Sequence, residues 1–178
     1  MKLVLSTMIW SQIIYFFGNE KLELKLIDFG LCSNNLDENG KGTILKKILF
    51  GFKGNMAFSG PNVILGYTPS RRDDMVSLAY LMLYLHQDTL WFLGITPSES
   101  TGYQEILDAK LSCTTMQMCG EKSLGLFDFI NEVYSLSFQD TPNYKKLLRM
   151  LENCMENYMS DCHINWVLSL HCRNSRIN

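Results

Sequence analysis

Three groups of residues in this chain are of types that could do chemistry. Asp28-Phe29-Gly30 stands directly after an apolar run that ends at Ile27, and a long glycine-bearing loop follows it. A carboxylate there can serve a turn or a cap, and the tripeptide taken alone carries little information. Asp73 and Asp74 stand together after Ser70-Arg71-Arg72. Ser70 can cap a helix while Asp73, three residues on, reaches back as in a capping box. Both carboxylates then lie in the first turn, where the helix dipole favours negative charge. Cys162-His163 and His171-Cys172 could be drawn as a four-ligand zinc site, although their flanks have neither knuckle nor finger spacing. The six cysteines, Cys32, Cys113, Cys119, Cys154, Cys162 and Cys172, include no Cys-x-x-Cys pair and read as reduced thiols of an intracellular protein.

The elements that must position these groups are legible from periodicity. Leu22-Glu23-Leu24-Lys25-Leu26 alternates at the strand period and leads into Ile27. Residues 31–53 hold no sustained period and read as a long loop, a length that in compact domains is usually functional or disordered. Gly54, Gly60 and Pro61 keep the next stretch irregular as far as Tyr67-Thr68-Pro69. The central helix then runs from Ser70 to Leu85. From Leu78 onward every residue in it is apolar or aromatic, which predicts a helix buried on all sides. That run is far shorter than the roughly 20 residues needed to span a bilayer. After a turn at Gln87-Asp88 and an apolar stretch Leu90–Ile95, three more helices are expected. They cover Tyr103–Lys110, Leu124–Leu136 and Tyr144–Tyr158, the last with Leu147, Leu148, Leu151, Met155 and Tyr158 facing inward.

Of the 178 residues, 47% are hydrophobic, 19% charged and 12% aromatic, which suffices for a real core. A net charge of −2 gives no electrostatic footprint for nucleic acid or an anionic membrane. Residues 1–17 have a basic start and an apolar centre like a secretory signal, but Ser6, Thr7, Ser11 and Gln12 interrupt it and no small-x-small cleavage site follows. A pair of buried strands, or a loop and a strand, is the plainer reading of that stretch.

The order of these pieces resembles the large lobe of a eukaryotic protein kinase, and in detail the casein kinase I family. The matching pieces are Lys25-Leu26-Ile27-Asp28-Phe29-Gly30-Leu31, Phe52-Lys53-Gly54 leading to Asn62 and Leu65-Gly66, and Ser70-Arg71-Arg72-Asp73-Asp74 with Ser77-Leu78 and Tyr80. Leu90-Trp91, Lys110-Leu111-Ser112, Ser135 to Tyr144 and Asn165-Trp166 continue the match. The resemblance implies a mainly α fold: a protein-kinase-like C-terminal lobe with a short β region at its start and the small lobe absent. It implies an uncertain segment over residues 1–15, the partial lobe over 16–166 and a tail over 167–178. It also implies ATP and Mg2+ as cofactors. Asp28 would be the magnesium ligand, Ile27 the floor of the adenine site, and Gly30 a structural glycine after that aspartate. Asp74 would be the carboxylate at the helix start that receives backbone amides of the catalytic loop. Partners would be a protein substrate or another protein, with no nucleic acid or membrane, in the cytoplasm or nucleus.

The same alignment exposes departures. The chain holds no Gly-x-Gly-x-x-Gly run, and no strand lysine with its glutamate partner is found. The family's second metal-binding asparagine falls on Ile14, its catalytic His-Arg-Asp on Thr7-Met8-Ile9 and its following lysine on Ser11. No catalytic residue is therefore assigned; a positioned base commonly contributes about 10²–10⁴-fold. The Gly-Thr before the substrate loop reads Gly54-Asn55, and two basic residues that bind acidic or phosphorylated groups fall on Ala57 and Gly102. Two readings follow: a casein kinase I-like serine/threonine kinase fragment, inactive by itself, or a degenerate lobe that serves as an interaction module. Kinase sequence upstream in the transcript is expected under the first.

Overall fold

The computed structural model describes side chains at residue 52 and over residues 54–95 and 103–155. It describes backbone alone at 5–6, 13–17, 22–26, 33–34 and 156–161. The chain divides into two compact units, residues 1–142 and 143–178, and its described part is mainly α-helical.

In the first unit, strand β1 (Leu5–Ser6) pairs antiparallel with β4 (Ser33–Asn34). Strand β2 (Ile13–Phe17) pairs antiparallel with β3 (Leu22–Leu26), with Ile13 opposite Leu26 and Phe17 opposite Leu22. The expected strand at 22–26 thus forms, and the apolar run before it supplies its partner. Apart from β4, the loop expected over 31–53 lies almost wholly outside the described residues.

Helix α1 (Pro61–Ile64) is a short turn within the stretch expected to be irregular. Pro61 sits at its first position, where its fixed φ suits a helix and its missing N–H is no loss. Gly66, at φ 82°, follows it. Helix α2 (Arg71–Gln87) follows, with Ser70 in extended conformation as its N-cap and the expected capping box to Asp73 in place. It ends on Asp88, left-handed at φ 62°, whose amide donates to the Tyr84 carbonyl at 2.9 Å.

Helix α3 (Gln104–Ser112) forms where expected. Helix α4 (Thr115–Cys119) was not anticipated. Its signal was Thr114-x-x-Gln117, a capping box in which Gln117 Oε1 accepts from the Thr114 amide at 2.9 Å. A 3₁₀ turn over Leu124–Leu126 leads into α5 (Phe127–Tyr134), so the amphipathic segment expected over 124–136 is helical in its centre and tighter at its start.

Helix α2 packs chiefly on α5. Val76, Ala79, Tyr80 and Leu83 from α2 are buried, as are Phe129, Ile130 and Val133 from α5. Burying each large side chain contributes about 1.5–3 kcal/mol. Val63, Leu90, Phe92, Leu107, Met118, Cys119 and Leu126 are buried with them. The expectation of burial on all sides fails at the end of α2: Leu85 is 54% exposed, and Tyr84 is exposed too. The reason is facing: two residues on from the fully buried Leu83, a side chain lies on roughly the opposite side of a helix with 3.6 residues per turn.

The second unit carries α6 (Tyr144–Asp161). Asn143 caps it, its side-chain oxygen accepting from the Lys146 amide at 3.1 Å. Leu147 and Cys154 are buried, but Leu148 and Met155, expected inward, are exposed. No helix among the described residues is long and apolar enough to cross a membrane.

Candidate functional site

The first unit is tied together around a buried lysine. Lys110 lies one helical turn after the core residue Leu107 on α3, so its side chain points into the apolar interior, and it is only 1% exposed. Its Nζ donates to the carbonyls of Met56 at 2.8 Å, Ala57 at 3.2 Å and Ser59 at 2.8 Å. These are three acceptors for the three hydrogens of an ammonium. The same nitrogen lies 4.4 Å from the centre of the Tyr80 ring and 4.2 Å from that of Phe92, so two aromatic faces stabilise its charge. Burial opposes this and pulls the amine's pKa down to about 7.

The aromatic wall continues outward. Phe92 packs edge-on against Tyr80 and against Trp91, and Trp91 Nε1 donates to the Ala109 carbonyl at 3.0 Å. Tyr80 also accepts from the Tyr134 hydroxyl of α5 at 2.8 Å. Desolvation raises the pKa of both phenols, Tyr134 to about 12 and Tyr80 well above its ordinary value. Segment 54–60 is thereby fastened to α2, α3 and the 90–95 turn. Gly54 adopts φ 131°, a conformation that side chains rarely take.

At the start of α2, the Asp73 carboxylate accepts from the Ser70 amide at 2.8 Å and the Ser70 hydroxyl at 3.0 Å. It also pairs with Arg72 at 3.3 Å. Arg72 in turn lies 6.0 Å from the centre of the Phe138 ring. Asp74 is 8% exposed, in keeping with its expected place against the core. The Nε atoms of Arg71 and Arg72 are shut off from water without a hydrogen-bond partner among the described residues.

A third polar knot closes the other end of α2. Gln87 Nε2 donates to the carbonyls of Met118 and Cys119 at 2.9 and 2.7 Å, and His86 Nδ1 lies 2.8 Å from the Ser123 hydroxyl. Ser123 is fully buried and His86 half-buried, and the pair fastens the end of α2 to the turn before α5. Burial lowers the His86 pKa.

Of the residues singled out from the sequence, Asp74 is described and buried at the start of α2. Ile27, Asp28 and Gly30 lie outside the described residues, as do Ile9, Ser11, Gly102 and the Cys162-His163 and His171-Cys172 pairs. Ala57 contributes its carbonyl to Lys110. Among the described residues no group of three or more His, Cys, Asp or Glu side chains could hold a metal ion. The lysine at the centre had a sequence signal, a charge one turn from Leu107 on an apolar face. Its partners, lying 51 to 54 positions earlier in the chain, had none. No protein-family model matches the chain.

Proposed function

We propose that this chain is a casein kinase I-like serine/threonine kinase large lobe that does not transfer phosphate by itself and serves as a protein-interaction module. The supporting observation is the environment of Lys110. Tyr80, Trp91 and Lys110, each in a segment that carries the resemblance in sequence, are distant in the chain and meet in one buried arrangement. Arg72 and Phe138, from two further such segments, stand against each other as well.

On this reading the family's chemistry is ATP-dependent phosphorylation of protein serine or threonine, with Asp28 the magnesium ligand and Ile27 against the adenine. Ile9 and Ile14, standing where a base and a second metal ligand are needed, argue for the interaction role. Asp74 would accept amides from residues 7–12, the positions that align with the catalytic loop.

Hydrogen exchange tests this arrangement. Amides in 7–12 should be protected in the wild type and lose protection in Asp74→Ala while the helices α2 and α5 keep theirs. Equal exchange of 7–12 in both proteins would sink the kinase-like lobe. Asp28-dependent incorporation of phosphate into casein by the purified chain would instead overturn the inactive reading and restore the enzyme.

A further inference from the structure

Helix α6 carries two apolar stripes. One contains the buried Leu147 and Cys154. The other is Tyr144, Leu148, Leu151 and Met155, spaced four, three and four residues apart, and the same spacing continues in the sequence to Tyr158. This is the a/d repeat of a coiled-coil seam. Tyr144 is 51% exposed, Leu148 56% and Met155 49%. The helix is also polarised. Its basic residues, Lys145, Lys146 and Arg149, come first, and its acidic ones, Glu152, Glu156 and Asp161, follow.

We propose that this seam is a self-association surface on which a second copy of the chain docks its own α6 antiparallel. The charge order selects both occupant and direction. An antiparallel copy lays the basic half of each helix on the acidic half of the other. A parallel copy sets like charge on like charge, and an anionic lipid surface repels the second half. In the register that pairs Leu148 of one copy with Leu151 of the other, Tyr144 falls opposite Met155. Lys145 and Glu152, which share the flank of the seam, then meet across the two-fold axis twice. An 18-residue helix spans about 27 Å. One helix pair of that length is small for a protein interface, so a roughly micromolar dimer is expected rather than an obligate one. This inference stands apart from the kinase-like reading and survives its failure.

Sedimentation velocity on the full chain under reducing conditions, from low to several hundred micromolar, tests it. The wild type should shift from monomer to dimer across that range. Leu148→Glu, an exposed substitution whose fold circular dichroism verifies, should weaken the dimer by about 100-fold or more, since the symmetric interface loses two leucines at once. Lys145→Glu and Glu152→Lys should each be monomeric alone and should dimerise when mixed, because the mixed pair restores opposite charge at both contacts. A wild type that stays monomeric throughout overturns the proposal. So does a dimer indifferent to Leu148→Glu, and failure of the mixture to associate overturns the antiparallel register. Binding of a monomeric wild type to vesicles of phosphatidylserine would replace the second copy with a lipid surface.

Discussion

Tyr134 donates its hydroxyl hydrogen to the Tyr80 hydroxyl across 2.8 Å, joining α5 to the middle of α2 at a point where Tyr80 has no exposed surface. Removing the donor leaves a buried oxygen without its partner, a loss of about 1–3 kcal/mol. Tyr134→Phe is expected to lower the urea midpoint. Tyr80→Phe with Tyr134→Phe should lower it by less than the sum of the single changes, because the second substitution removes a group already stranded. Strict additivity would mean the two hydroxyls do not interact in solution.

The raised phenol pKa values have a sign. A group whose pKa is higher in the folded state binds more protons there, so its contribution is complete below the unfolded value of 10 and is lost as pH rises through the folded value, about 12 for Tyr134. The wild type should lose stability above pH 10 more steeply than Tyr134→Phe. Parallel alkaline unfolding curves would contradict the burial of this pair.

For Lys110 the sign is reversed. Its pKa falls from 10.5 to about 7 on folding, so between those values the unfolded chain binds the extra proton and stability from this group rises with pH. The difference in unfolding free energy between wild type and Lys110→Met should therefore grow in favour of the wild type between pH 7 and 10. A difference that stays constant would show that the three carbonyls and two rings offset desolvation fully and keep the amine charged.

Asp73→Ala is expected to cost about 1–3 kcal/mol, because it strands the fully buried Ser70 amide and hydroxyl. Asp73→Asn keeps an acceptor oxygen and should cost less. Equal midpoints for the two variants would mean the charge at the helix start matters and the hydrogen bonds do not.

A methyl group added at Gly60 would come 3.0 Å from Val76 Cγ1, closer than ordinary contact, and valine's stiff χ1 gives it little room to move. Gly60→Ala should lower the thermal midpoint, and Val76→Ala in the same chain should recover part of that loss. A neutral Gly60→Ala would show that segment 54–60 can shift away from α2.

The sequence by itself determined the local elements, since their signals are short-range. Alternation at Leu22–Leu26, the Ser70–Asp73 capping box and the apolar spacing on α5 all act within a few residues, and each forms. The brief helices α1 and α4 were legible in principle through Pro61 and Thr114-x-x-Gln117. Which apolar residues would be covered was decided only by the tertiary structure. Leu85 and Leu148 are as hydrophobic as Leu83 and Leu147, yet they are exposed because burial depends on what the rest of the chain brings against each face. The same holds for Lys110. Its charge on an apolar stripe was visible, but three carbonyls from 56–59 and two rings from 80 and 92 become its neighbours only when α2, α3 and the 54–60 segment pack together.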